Sequence, residues 1–287
     1  MKPFEYYEPK TVGDATGLLS NYGEKAWILA GGIDLIPRMR KGDIEAEHVV
    51  SIQKIAELER IDLNEQGGIT FGAAVRLHSI ETSDAIRSKH PILYEAIHQI
   101  TSVQTKYMGT AVGNICVATS ASDVATSLFA IGARLKITGN EGERIEPIEK
   151  FYPDYHRTSL RRGEMVTQVV LPDPLPGTGA AFFNLVRTHA DIAKIIVAVT
   201  IVVQNSICRE ARIAIGAGAP TVFRAAKAEA LVTGQKVSPA VIIKAAETAA
   251  DETKPITDLR STAEYRKEMT GVLLRRALEK AVERAKG

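Results

Sequence analysis

Two adjacent glycines follow a short apolar run near the start of the chain and could bring backbone amides close to a phosphate. The segment reads Leu29-Ala30-Gly31-Gly32-Ile33-Asp34-Leu35, with a predicted strand before the glycines and a predicted short helix after them. Glycine lets N–H groups approach a bound group closely, and the amino end of a helix adds a partial positive charge. The pattern indicates either a phosphate-binding loop or a simple tight turn.

A second segment of small side chains lies near the middle of the chain. We predict a long loop over residues 109–123, because glycine, alanine, serine and threonine recur there without a helical or strand period. Long loops inside compact domains are usually functional, and small side chains let a flat ligand lie against the backbone. Asp123, which ends the segment, could accept hydrogen bonds from ribose hydroxyls or could cap the helix that it begins.

The sequence shows no pattern typical of a dinucleotide fingerprint, a metal site or an iron–sulfur cluster. The glycines of Ile215–Pro220 do not make a dinucleotide fingerprint, because the third glycine would fall at Thr221. The six histidines show no metal-ligand spacing, and two cysteines, Cys116 and Cys208, cannot hold an iron–sulfur cluster. We therefore expect neither a catalytic residue nor a metal site here.

The composition is that of a soluble globular protein. The chain has 287 residues, a net charge of +2, 45% hydrophobic residues and 24% charged residues. This charge balance argues against a nucleic-acid coat, and no apolar run reaches the roughly 20 residues that span a bilayer. The first residues lack the apolar core of a signal peptide. We expect a cytoplasmic protein of two or three domains with reduced thiols.

The elements that must position these segments fall into three groups. A helix over 11–20 and strands over 27–30 and 48–52 predict a small α/β unit, 1–55. The second unit, 56–175, has predicted strands over 69–73, 134–138 and 165–171, a helix that opens at Pro91 and another over 123–132. Three prolines in the run 172–177 mark a boundary.

The remainder, 178–287, is predicted as an α+β domain. Its three strand-like runs cover 180–187, 195–204 and 210–216, and its three helices cover 222–233, 239–250 and 262–285. Strands followed by helices are typical of an α+β arrangement, in which helices cover one face of an antiparallel sheet.

The segments together resemble the FAD-binding medium subunit of the molybdenum hydroxylases, the carbon monoxide dehydrogenase and xanthine dehydrogenase family. The resemblance covers essentially the whole chain, with motifs in the family's order. The motifs are Phe4-Glu5-Tyr6-x-x-Pro9, Ala30-Gly31-Gly32-x-Asp34-Leu35, Gly109-Thr110-x-x-Gly113-Asn114 with Asp123 downstream, Arg187-x-x-x-Asp191-Ile192-Ala193, and 257–266 with 273–277.

This resemblance implies an α+β protein with a two-subdomain FAD-binding fold of the vanillyl-alcohol-oxidase/PCMH type. A C-terminal domain with a three-stranded antiparallel sheet and helices would follow. The FAD pyrophosphate would lie between the Gly31-Gly32 and Thr110–Asn114 loops, with Asp123 on a ribose or ribityl hydroxyl and Leu160 near the isoalloxazine ring. The implied cofactor-binding residues are Leu29, Ala30, Gly31, Gly32, Ile33, Asp34, Leu35, Thr110, Ala111, Gly113, Asn114, Thr119, Asp123, Leu160, Arg187 and Asp191.

The chain departs from the family pattern near the expected phosphate. Ile33 stands where relatives have serine or threonine, and Thr110-Ala111-Val112-Gly113 replaces a Thr-Ile-Gly-Gly run. Each change reduces the capacity of its loop to contact the phosphate.

The function implied is electron transfer in a complex. A large partner would carry a molybdenum cofactor, and a small partner would carry two [2Fe–2S] clusters, in a dimer of heterotrimers. This chain would pass electrons through FAD to an external acceptor. Two alternatives are a stand-alone flavin oxidoreductase and a structural subunit that keeps the fold without FAD.

Overall fold

The computed structural model describes residues 1–64 and 66–286. Within these residues the elements are β1 (Glu5–Tyr7), α1 (Val12–Tyr22), β2 (Ala26–Leu29), α2 (Leu35–Lys41), β3 (His48–Ser51), β4 (Ile61–Leu63), β5 (Ile69–Gly72), α3 (Leu77–Glu81), α4 (Asp84–Lys89), α5 (Pro91–His98), α6 (Val103–Met108), α7 (Ala111–Cys116), α8 (Asp123–Ile131), β6 (Arg134–Gly139), β7 (Gly142–Pro147), β8 (Met165–Leu171), β9 (Thr178–Leu185), β10 (Ile195–Gln204), β11 (Ile207–Gly216), β12 (Phe223–Arg224), α9 (Ala226–Val232), α10 (Pro239–Glu252) and α11 (Ala263–Ala285).

The N-terminal unit is a three-stranded parallel sheet in the order β1-β3-β2. The Thr11 side chain caps α1 by accepting a hydrogen bond from the Asp14 amide at 3.1 Å, and Gly23 ends the helix with a φ of +58°. Strand β2 is only half-buried along its whole length, although the sequence predicts a buried strand. The reason is that several of its side chains border a cavity.

The second unit is a five-stranded antiparallel sheet in the order β4-β5-β8-β6-β7. The prediction of an unbroken loop over 109–123 is wrong, because α7 occupies 111–116. Thr110 starts α7 by accepting a hydrogen bond from the Gly113 amide at 2.9 Å. Ser122, not Asp123, caps α8, since its Oγ accepts from the Ala125 amide at 2.9 Å.

The C-terminal sheet is antiparallel in the order β12-β11-β10-β9. The three expected strands are present, and the prediction missed the two-residue edge strand β12, which pairs with β11 and delays the start of α9 to Ala226. Both faces of β10 are buried. Val197 and Val199 face a core shared with α9, α10 and α11, whereas Ile196 and Ala198 face the core of the second unit. This sheet is therefore a middle layer that fixes the C-terminal domain against α5 and α8.

The proline run 172–177 connects β8 to β9 and contains no strand or helix. Across residues 1–64 and 66–286, we find no helix with the length and apolar character needed to cross a membrane.

Candidate cofactor site

A cavity of about 660 Å³ lies between the N-terminal unit and the second unit. Its size falls within the range of small-molecule and cofactor sites. The walls come from β2, the loop and helix α2 that follow it, the segment 105–117, and the segment 156–166. Both glycine-bearing loops singled out in the sequence therefore face one cavity.

Gly31 brings the first loop into direct contact with the second. A β-carbon at Gly31 would overlap the carbonyl oxygen of Met108 and lie 2.7 Å from the Cα of Gly109. Gly32, with a φ of +72°, adopts a left-handed conformation that side chains disfavour. The first glycine thus allows a close backbone approach, and the second allows the turn into α2. The Ala30 carbonyl is held by the Gln53 amide group.

The second loop contributes the start of α7. Gly113 lies under Ala30, because a β-carbon at Gly113 would be 3.9 Å from the Ala30 Cβ and 2.8 Å from Thr110 Oγ1. The first amides of a helix, here those of Ala111 and Val112, have no carbonyl partner inside the helix. Of the residues at this end of α7, Thr110, Val112 and Gly113 line the cavity, whereas Ala111 is buried behind them.

Ile33 and Asp34 both line the cavity, but one side chain is apolar and the other is charged. Ile33 is 40% exposed and lines the cavity with an apolar surface. Asp34 pairs with Arg38 one helical turn later, at 3.2 Å. The carboxylate of Asp34 is therefore compensated, and Arg38 adds a cation to the wall.

Another part of the cavity wall lies beside two non-glycine residues with left-handed backbone conformations. Ala118 and His156 both have a φ of +54°, and the His156 amide donates to the Ala118 carbonyl at 2.9 Å. Non-glycine residues in this region of φ are strained and cluster at functional sites. Val117 and His156 line the cavity at this junction, together with Leu160.

Asp123 lies behind the cavity wall. Burial raises the pKa of Asp123 to about 6, while a hydrogen bond from Asn184 of β9, at 3.2 Å, partly opposes that rise. The preceding residue, Ser122, donates to the side-chain oxygen of Asn114, which does line the cavity. Asp123 is thus connected to the cavity wall and also to the C-terminal sheet.

The cavity brings together most of the residues singled out from the sequence. Those that line it are Ala30, Gly31, Gly32, Ile33, Asp34, Leu35, Thr110, Gly113, Asn114 and Leu160. Those that do not line it are Leu29, Ala111, Thr119, Asp123, Arg187 and Asp191. Arg187 and Asp191 pair with each other at 3.0 Å, and the Arg187 side chain is 72% exposed. A role for any of these residues in cofactor contact stays a prediction.

Sequence reasoning missed other residues that line the cavity. They include Trp27, Arg38, Thr105, Cys116, His156 and 161–166. The strand that leads into Gly31-Gly32 was the available signal for Trp27, whereas segment 161–166 carries no motif that places it there.

Comparison with known proteins identifies the family. Residues 2–174 match the model of the FAD binding domain in molybdopterin dehydrogenase, and residues 180–281 match that of the CO dehydrogenase flavoprotein C-terminal domain. The chain belongs to this family of FAD-binding molybdopterin dehydrogenase subunits. The resemblance drawn from the sequence motifs and the expected α+β fold are confirmed.

Individual relatives match along nearly their whole length. The carbon monoxide dehydrogenase medium chain of Afipia carboxidovorans is 35% identical over 284 residues, covering 99% of this chain and 98% of the relative. The xanthine dehydrogenase FAD-binding subunit of Escherichia coli O157:H7 is 28% identical and covers 98% of this chain and 97% of its own length. A chain of the solved carbon monoxide dehydrogenase from Hydrogenophaga pseudoflava superposes with a TM-score of 0.95 at 32% identity, covering 99% of each chain.

Proposed function

We propose that this chain binds FAD non-covalently in the cavity and serves as the electron-transfer subunit of a molybdenum hydroxylase. The observation that carries the proposal is the contact between the two glycine-bearing loops at the cavity, in a chain of this family. Bound flavin supplies chemistry in either one- or two-electron steps, which suits a junction between one-electron clusters and a two-electron acceptor.

The residues of this chain bind, orient and shield the cofactor. The pyrophosphate would lie where the Gly31-Gly32 loop meets the 109–114 segment, because both glycine-bearing segments line the cavity there and Gly31 lets their backbones touch. Asp123 would accept a hydrogen bond from a ribose or ribityl hydroxyl. Leu160 would cover the ring system with an apolar surface, and Arg187 and Asp191 would approach it from the C-terminal domain.

The partners follow from the family. A large subunit with a molybdenum cofactor would oxidise the substrate, and a small subunit with [2Fe–2S] clusters would deliver electrons to this chain. Cys116 and Cys208 are both free thiols and too few for a cluster, which agrees with clusters in a separate chain. We further propose a dimer of heterotrimers, a cytoplasmic location in keeping with free thiols, and units 1–55, 56–175 and 178–287.

Cofactor release from the native complex tests the proposal. The complex, purified from its own host, is denatured with acid or heat, and the released flavin is identified by chromatography. We expect about one equivalent of FAD per chain, with one larger and one smaller subunit in the same preparation. Release of FMN, or a free monomer as the native species, would contradict the proposal.

The Ile33 side chain favours a second candidate function. The apolar Ile33 side chain faces the cavity at the position where the sequence resemblance implies serine or threonine, so a structural subunit without flavin is the competing interpretation. An intact complex that releases no flavin on denaturation would establish that alternative. A single purified chain with its own oxidase turnover would instead indicate a stand-alone flavoenzyme.

A further inference from the structure

One arginine holds both ends of a loop at the cavity. Arg144 lies on β7, the edge strand of the five-stranded sheet, and its side chain is 26% exposed. Its Nε and Nη2 donate to the two carboxylate oxygens of Glu164, each at 2.9 Å, and Nη2 also donates to the Ser159 carbonyl at 3.1 Å. Such a bidentate arginine–carboxylate pair fixes geometry as well as charge.

The loop between these two anchor points forms part of the cavity wall. The four residues 160–163, which include Leu160, all line the cavity. The loop is tightened from inside, because the Arg161 amide donates to the Glu164 carboxylate at 2.8 Å. A second carboxylate, that of Glu146, accepts from Arg144 Nη1 at 2.6 Å and from the Ser159 hydroxyl.

The far side of the loop rests on the N-terminal unit. A β-carbon at Gly163 would lie 3.1 Å from the Cβ of Ser20, and Arg162 donates to the Ser20 carbonyl at 3.3 Å. The guanidinium of Arg162 also covers Gly23 at the end of α1. The loop is therefore held between β7 on one side and α1 on the other.

The Arg144 group differs from an ordinary surface ion pair. The hydrogen bonds from Arg144 hold the pKa of Glu164 below its usual value, so the carboxylate keeps its charge further into the acidic range than an exposed glutamate does. A neighbouring pair in the same β6–β7 ribbon, Lys136 with Glu143 at 2.9 Å, makes one contact, and its carboxylate side chain is 54% exposed. Exposed single pairs of that kind contribute little to stability.

We propose that Arg144 is a positioning residue for the cofactor. It holds residues 160–163 in the shape that completes the cavity wall, and so controls the affinity and orientation of the bound flavin without touching it. The inference rests on the proposed FAD function, but the held loop is a property of the chain alone.

The test uses the full-length chain with Arg144→Gln, Arg144→Lys, Glu164→Gln and the Arg144→Gln/Glu164→Gln double variant. FAD affinity is measured by quenching of Trp27, the single tryptophan, which lines the cavity. We expect Arg144→Gln and Glu164→Gln each to weaken binding on the order of tenfold, as when residues that orient metal ligands are removed. The double variant should lose less affinity than the two single losses added together, because both changes break the shared Arg144–Glu164 contact. Arg144→Lys should recover part of the affinity.

Two further readouts separate positioning from general stability. The visible circular dichroism of bound flavin should change in Arg144→Gln, and trypsin should cut the flavin-free chain faster after Arg161 and Arg162. Glu143→Gln is the matched control and should behave as wild type in both assays. Unchanged affinity and dichroism in Arg144→Gln, or a lower melting temperature alone, would overturn the inference. If wild type itself does not bind FAD, the proposed function fails, while the trypsin comparison still tests whether Arg144 holds the loop.

Discussion

Replacing Gly31 by alanine tests the contact on which the cofactor site depends. The new β-carbon would overlap the Met108 carbonyl oxygen and would lie 2.7 Å from the Cα of Gly109, where ordinary contact begins at 3.4 Å. Both obstacles are backbone atoms, so no side chain can rotate away to make room. The loop that carries Gly31 must therefore move away from the second unit.

The size of the effect follows from that displacement. Overpacking of this kind costs about 1–3 kcal/mol of folding stability. A hydrogen bond to a charged phosphate oxygen is worth about 1.5–3 kcal/mol, so the loss of one such bond weakens FAD binding by about 10- to 100-fold. We expect Gly31→Ala to show both effects, with a lower melting temperature and a higher dissociation constant for FAD.

The assay again uses the quenching of Trp27 on titration of flavin-free protein with FAD, beside a thermal melt. Gly17→Ala is the matched control, because Gly17 lies inside α1 and its β-carbon would have no atom within 4 Å. That change should leave FAD affinity unaltered and raise stability by up to about 1 kcal/mol. Wild-type affinity and melting temperature in Gly31→Ala would refute both the close approach of the loops and the phosphate assignment.

Three other substitutions have defined outcomes. Ile33→Thr should tighten FAD by roughly tenfold in the same titration, since a hydroxyl would replace an apolar group beside the pyrophosphate. Asp123→Asn should raise the stability of the flavin-free chain above pH 6 by up to about 3 kcal/mol, because the folded-state pKa of about 6 makes the charged form costly. That gain should shrink as the pH falls from 6 to 4 in thermal melts, while FAD binding weakens if the carboxylate holds a hydroxyl. Asp258→Asn should cost about 3 kcal/mol in urea unfolding, because it leaves the buried Arg266, now paired at 2.7 Å, without its counter-charge.

Each of these has a matched control. Ile33→Val has the shape of threonine without the hydroxyl, so equal tightening by both would contradict the phosphate explanation. Asp84→Asn, at an exposed carboxylate, should give no pH-dependent gain in stability. Asp251→Asn removes an exposed pair with Lys267, and a loss as large as that of Asp258→Asn would show that burial is not the cause.

The elements that the sequence predicted well are those with strong local signals. Strands β8 and β10 have the bounds expected from their apolar runs. Helix α7 was missed because its six residues show no helical period, and its start depends on one threonine hydroxyl. The two-residue strand β12 is produced by pairing with β11, which no local pattern records.

The residues of the site also fall into those that local motifs predicted and those that only the folded structure brings together. The glycine motifs identified the two loops, because their residue types are unusual enough to be informative alone. Nothing local placed Gly31 against Met108, or Gly163 against Ser20, since those contacts join residues that are far apart in the chain and in different units. The apolar and charged residues of 161–166 became part of the site only through such packing.

The walls of the cavity are held by contacts between distant parts of the chain. Gly31 packs against the 108–109 backbone, and Arg162 and Gly163 pack against α1, so each of these cavity-lining loops rests on a segment far from it in sequence. A substitution that weakens such a contact is expected to shift a wall of the cavity and to lower the affinity for FAD. For this reason residues such as Arg144, which do not touch the cofactor, can still determine how tightly it is held.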